Sequence, residues 1–244
     1  MKPRIKLAEA TTPDGSSMTL HEHDGDFSIS VDGTGLMGSR THESELVLAR
    51  LGCAHLTEAL SPRILIGGLG MGYTLRETLE QTSPKARIDV LELMPEIVAW
   101  NEQFLDPVPL KDKRVRVTVG DVVKALERSK ETYDTILLDI DNGPEAITDV
   151  DNHRLYGEAG IRTCRRALRN KGALAIWSVQ PNKAYERRLM RCGFKVNRYR
   201  APAYPGSKSL SRFIWVASED RNKLPPGGGE PRTPKKRKTR GKRR

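Results

Sequence analysis

Four glycines stand within six residues at Gly67-Gly68-Leu69-Gly70-Met71-Gly72. The apolar run Ile64-Leu65-Ile66 precedes them, and Tyr73-Thr74-Leu75-Arg76-Glu77-Thr78-Leu79 follows them. A glycine turn between strand and helix lets a ligand approach the backbone, because no Cβ stands in the way. The first turn of the helix beyond it offers N–H groups and partial positive charge. Three acids then close successive strand-like runs. Glu92 ends Arg87-Ile88-Asp89-Val90-Leu91, Asp121 follows Val115-Arg116-Val117-Thr118-Val119, and Asp139 follows Tyr133-Asp134-Thr135-Ile136-Leu137-Leu138. Glu92 lies 20 residues beyond Gly72, where a carboxylate accepts hydrogen bonds from both hydroxyls of a ribose. Asp121 suits an adenine amino group, and equally the cap of a following helix. Asp139 falls over the reactive end of such a ligand, or merely opens a loop. Taken together, Gly67, Gly68, Gly70, Gly72, Glu92 and Asp121 describe a site for an adenosyl sulfonium, S-adenosylmethionine or its decarboxylated form.

In such a donor the sulfonium activates an adjacent carbon, and the leaving group becomes a neutral thioether. The protein must place a nucleophile in line and take its proton. An alkyl amine has a pKa of about 10, so it has a proton to shed before attack. Asp139 with Asp141, two residues on, would hold a cationic amine and accept that proton. Asp141-Asn142-Gly143 reads also as a plain turn. His153 and Tyr156 follow as candidates for the acceptor pocket, although a lone His in a polar loop is as readily just solvated. Cys53, Cys164 and Cys192 show no metal-type spacing, and no metal is expected.

The elements that must position these groups alternate. Residues 17–40 have period-two apolar spacing broken by Asp24-Gly25 and Asp32-Gly33, a hairpin or meander signal. A helix is predicted over 42–59, with Thr41 as its N-cap. From Pro62 onward, strands at 64–66, 87–92, 115–119, 133–139 and 173–177 are separated by helices near 73–79, 95–104, 122–128 and 156–169. A helix over 183–191 precedes strands at 194–199 and 213–217, which no helix separates, so they should form an antiparallel hairpin. The fold class is therefore α/β, a Rossmann-like, methyltransferase-type, mainly parallel sheet with helices on both faces. The organisation is a β-hairpin unit in 1–40, a connecting helix in 41–61, a nucleotide-binding catalytic domain in 62–218 and a disordered basic tail in 219–244.

The chain carries a net charge of +11 over 244 residues. Residues 219–244 hold 11 Lys/Arg against 3 Asp/Glu, which leaves 31 basic and 28 acidic residues in 1–218. The basicity thus belongs to the tail, where residues 232–244 could meet nucleic acid or an acidic surface by counterion release, or could only solubilise. No apolar run approaches the roughly 18–20 residues that span a bilayer, so no membrane partner is expected. No secretory signal follows Met1, and three scattered cysteines fit a reducing cytoplasm.

The order of these motifs over residues 17–218 resembles the spermidine/spermine synthase family, the polyamine aminopropyltransferases. Ile64 to Gly72 is similar to the family's nucleotide motif, Tyr133 to Asp139 to its strand ending in the catalytic aspartate, and Gly143-Pro144 to the Gly-Pro that follows. Thr41 to Leu51 is similar to the end of its β-unit and the helix beyond. The resemblance implies that Glu92 contacts ribose, Asp121 the adenine and Asp139 a small-molecule amine acceptor; a homodimer is one option for the assembly, since dimers are common in that family. Gly70 occupies the place where the family carries an acid for the donor's amine. Glu43 and Ser44 occupy the places of a tyrosine and its polar neighbour. Aminopropyl transfer is thus the leading expectation. The alternatives are methyl transfer from S-adenosylmethionine and a non-enzymatic nucleic-acid-binding protein acting through its tail.

Overall fold

The computed structural model describes residues 3–140 and 154–229. The chain opens with β1 (Ile5–Thr11), β2 (Ser17–His23), β3 (Asp26–Val31) and β4 (Thr34–Gly38), an antiparallel sheet in that order. Asp24-Gly25 and Asp32-Gly33 adopt positive φ at both residues, as two-residue hairpin turns require. Strand β1 was not expected from the sequence. It is an edge strand, half-exposed, with a register shift between Lys6 and Ala8 that interrupts its alternation.

The connecting helix α1 spans Glu43–Cys53, followed by a 3-10 turn at Ala54–Leu56. It is shorter than the periodicity of 42–59 predicts. Thr41 is not its cap: the N-cap is His42, and the Thr41 hydroxyl donates instead to the Gly38 carbonyl at 3.2 Å.

The remaining elements are β5 (Arg63–Gly67), α2 (Tyr73–Gln81), β6 (Arg87–Glu92), α3 (Pro95–Gln103), β7 (Val115–Val119), α4 (Val122–Glu127), β8 (Tyr133–Leu138), α5 (Glu158–Ala167), β9 (Leu168–Ser178), α6 (Lys183–Arg191), β10 (Lys195–Ala201) and β11 (Arg212–Ser218). They form one sheet in the order β10-β11-β9-β8-β5-β6-β7. Strands β9, β8, β5, β6 and β7 pair in parallel, and β11 is antiparallel to both β9 and β10. This is the mainly parallel, helix-covered sheet and the terminal antiparallel hairpin that the sequence pattern implies.

Both faces are dry. Along β5, Ile64 and Ile66 join the core under α1, α2 and α3, while Leu65 joins the core under α4, α5 and α6. Period-two alternation sends successive side chains to opposite faces, so a strand buried on both reads as an unbroken apolar run. Met18, Leu20 and Ile29 of the N-terminal sheet belong to the first of these cores.

Residues 219–229, read from sequence as the start of the tail, are packed. Leu224 lies against the first core and Pro225 is buried. The Tyr199 hydroxyl donates to the Pro225 carbonyl, and the Gly229 N–H to the Arg198 carbonyl at 2.8 Å. Leu224 and Pro225 supply the apolar surface that the charged remainder lacks. Asp141, Gly143-Pro144, His153 and the basic run 232–244 lie outside the described residues. Among those described, no helix is long and apolar enough to cross a membrane.

Candidate active site

The strand order reverses at β5. From it the chain runs outward through β6 to β7, then returns to place β8 on the other side. In open α/β sheets this switch point leaves a crevice at the carboxyl ends of the strands. The glycine turn leaves β5 there and Asp139 leaves β8 there, and the Asp139 N–H donates to the Gly67 carbonyl at 2.9 Å.

Local backbone demands explain the glycines. Gly68 has φ +90°, and a Cβ on it would lie 2.1 Å from the Asp139 carbonyl oxygen. Gly72 precedes α2 at φ +79°. Both need the left-handed region that side chains disfavour. Gly67 is different. A Cβ there would press on Val122, Leu138 and Ile140, so its size serves packing. Gly70, at φ +53°, would bring a Cβ only into ordinary contact with Met37, 3.4 Å from its sulfur.

Glu92 is 8% exposed and sits behind the turn. Its Oε2 accepts from the Leu69 N–H at 2.8 Å and its Oε1 from the Met94 N–H at 2.9 Å. Each carboxylate oxygen has a second acceptor site, so this anchoring is compatible with a ligand hydroxyl. Asp121 caps α4, accepting from the Val123 N–H at 2.7 Å through Oδ1. The cap reading of Asp121 is therefore realised in the structure. The Gly120 N–H donates to the Glu92 carbonyl at 2.8 Å, which fixes the ends of β6 and β7 side by side.

Gly70 and Asp139 come together on the wall of one cleft of about 100 Å³. Its other walls are Leu36, Met37 and Gly38 at β4, Thr41 and Glu45 at the start of α1, Leu69 and Met71 of the turn, Tyr73 of α2, Trp177 of β9 and Arg212 of β11. The N-terminal sheet thus closes over the switch point. Asp139 Oδ2 accepts from the Thr74 hydroxyl at 2.5 Å, and Thr74 is fully buried in the first turn of α2. Tyr73 stacks on His42 with ring centroids 4.2 Å apart.

Glu45 is a second carboxyl on this cleft. Burial pushes its pKa up, against the Ser44 hydroxyl, which donates to it at 2.6 Å, and the nearby charge of Arg212. A cation entering the cleft would meet Asp139 and Glu45 together. Glu92 and Asp121 do not line the cleft; they belong to the neighbouring strand ends.

Sequence reasoning missed Glu45, Thr74, Trp177 and Arg212. Thr74 was findable as the second residue of a helix that begins at the glycine turn. Arg212 was findable from the antiparallel hairpin, which brings the start of β11 to the end of the sheet where the parallel strands finish. Glu45 carries no such signal, since only the packing of α1 decides which of its first-turn acids faces inward. Among the described residues, no group of three His, Cys, Asp or Glu side chains is placed to hold a metal ion.

The family model for the spermine/spermidine synthase domain matches residues 49–192. A polyamine aminopropyltransferase of Prochlorococcus marinus (strain MIT 9515) is 32% identical over 123 residues, 49% of this chain and 41% of that protein. One from Saccharolobus solfataricus is 25% identical over 126 residues, 50% of this chain and 40% of that protein. The chain thus spans about two fifths of the length of these curated relatives. A spermidine synthase solved in complex with the transition state analogue AdoDATO superposes with a TM-score of 0.73 at 18% identity, covering 91% of this chain and 77% of that one. The spermidine synthase of Thermotoga maritima gives 0.70 at 17% identity, covering 91% and 76%. At these identities the structural likeness is one of fold.

Proposed function

The chain belongs to the spermine/spermidine synthase family, and from that premise we propose that it transfers an aminopropyl group from decarboxylated S-adenosylmethionine to a small amine. The observation that carries this reading is Asp139. It leaves β8 at the switch point, beside the glycine turn, with its carboxylate held by Thr74. The glycine turn with Glu92 and Asp121 would hold the nucleotide: backbone N–H groups at the turn, Glu92 for ribose, Asp121 for adenine. Asp121 can do so only with lone pairs that its cap bond leaves over.

In the proposed reaction the acceptor amine binds as a cation between Asp139 and Glu45. One of its protons passes to the Asp139 carboxylate, with Asp141 as a second candidate. The neutral nitrogen attacks the aminopropyl carbon next to sulfur, and the C–S bonding pair leaves on sulfur as a neutral thioether. Desolvation in the cleft strengthens the attraction of the carboxylates for the cation.

The test is incubation of the full chain with decarboxylated S-adenosylmethionine and a panel of di- and polyamines. Release of methylthioadenosine with a matching aminopropylated amine is the expected result. No such product with any amine would sink the reading. Methyl transfer is the second reading, and Gly70 favours it, because no acid on the turn selects the decarboxylated donor. Calorimetry with both donors separates the two. A reducing cytoplasm suits the three buried free thiols.

A further inference from the structure

Arg212 opens β11 and lines the cleft that holds Asp139 and Glu45. Its hydrogen bond among the described residues goes to the hydroxyl of its own neighbour Ser211, at 3.3 Å. Among the described residues no carboxylate stands within ion-pair distance of it. Its guanidinium carbon lies 6.0 Å from the ring centroid of Trp177, which lines the same cleft. The Trp177 indole N–H, unlike the half-buried Arg212, is a buried donor without an acceptor among the described residues. Buried donors without acceptors are costly, and a guanidinium fork fits a carboxylate in two parallel hydrogen bonds. A pocket for a plain diamine gains nothing from a fixed cation, which repels it.

We infer that Arg212 receives a carboxylate of the bound ligand, so that the cleft selects a substrate carrying ammonium and carboxylate together over its decarboxylated counterpart. This rests on the reading that the cleft takes an amine beside a sulfonium nucleotide. Asp139 and Glu45 hold the ammonium end and Arg212 the carboxylate end. The carboxylate belongs to the acceptor if the reaction is aminopropyl transfer, whose donor has none, and to the donor's own arm if it is methyl transfer, and the same guanidinium serves either.

Calorimetry on the full chain tests this without requiring turnover. With methylthioadenosine present, putrescine is compared with ornithine and cadaverine with lysine, each pair differing by one carboxylate. A second arm compares decarboxylated S-adenosylmethionine with S-adenosylmethionine. The native chain should prefer the carboxylated member by about tenfold or more in one arm. The arm that responds identifies which substrate bears the group. Arg212→Gln should erase that preference, and Arg212→Lys should keep part of it, since a point charge replaces the fork. Preference for the decarboxylated member in both arms overturns the inference, and so does a preference that Arg212→Gln leaves unchanged. A failed aminopropyl transfer assay would sink the reaction proposed above and still leave this binding comparison readable.

Discussion

The Thr74 hydroxyl donates a 2.5 Å hydrogen bond to Asp139 Oδ2, joining the first turn of α2 to the end of β8 across the switch point. One helix therefore both follows the glycine turn and orients the acid beside it. Thr74 is a positioning residue, and Thr74→Val removes the donor while keeping the shape. Turnover should fall about tenfold or more, equivalent to ~1.4 kcal/mol, with donor affinity nearly unchanged. Thr74→Ser should restore it. Equal loss in the Val and Ser variants would show that only packing matters at this position.

Asp139→Asn keeps an acceptor for Thr74 but cannot take a proton. Turnover with an amine acceptor should drop by about a hundredfold to ten-thousandfold. Donor affinity, measured by calorimetry, should stay close to native. Full activity in this variant would remove Asp139 from the proposed chemistry.

Glu92 anchors the turn and, in the proposed reading, also binds ribose, and its variants should separate the two. Glu92→Ala leaves the Leu69 and Met94 N–H groups without their acceptor, which should cost about 1–3 kcal/mol for each group that stays dry. Glu92→Gln keeps one acceptor oxygen, so it should lower donor affinity more than it lowers the unfolding midpoint. Thermal unfolding and donor titration on both variants check this pattern.

The glycines of the turn should differ sharply. Gly68→Ala combines φ +90° with a Cβ only 2.1 Å from the Asp139 carbonyl oxygen. It should destabilise by about 2–4 kcal/mol in denaturant unfolding. Gly70→Asp meets open contacts at φ +53°, a region that Asp tolerates at about 1–2 kcal/mol. It should raise the affinity ratio for the decarboxylated donor over S-adenosylmethionine, because it supplies a carboxylate for the donor's amine.

Burial raises the pKa of Glu45 above its ordinary value of 4.5. The folded state therefore keeps this proton over a range in which the unfolded chain has already lost it. By linkage, the contribution of Glu45 to stability is present at and below its unfolded pKa and declines as pH rises through the folded value. Glu45→Gln should flatten stability over that window. An unchanged pH–stability curve would mean that Glu45 ionises as it does in water.

The sheet was readable because its central strands β5 and β8 are buried on both faces. Ile64-Leu65-Ile66 and Ile136-Leu137-Leu138 are continuous apolar runs, and such runs alternating with helical stretches have few other solutions. Strand β1 was not readable, since an edge strand with one half-buried face and a register shift carries a weak pattern. The end of α1 and the packing of 219–229 were missed for a related reason. Both are settled by contacts with distant elements rather than by local spacing.

By itself the sequence determined the α/β alternation, the glycine turn and the acids at the strand ends, because each follows from local period and backbone conformation. Only the tertiary structure decided that Asp121 caps a helix, that Glu92 is anchored behind the turn, and that Glu45, Trp177 and Arg212 share one cleft with Gly70 and Asp139. These residues come from α1, the turn, and the ends of β8, β9 and β11, far apart along the chain. Their meeting depends on strand order and on the seating of the N-terminal sheet, and neither leaves a periodic trace in the residues themselves.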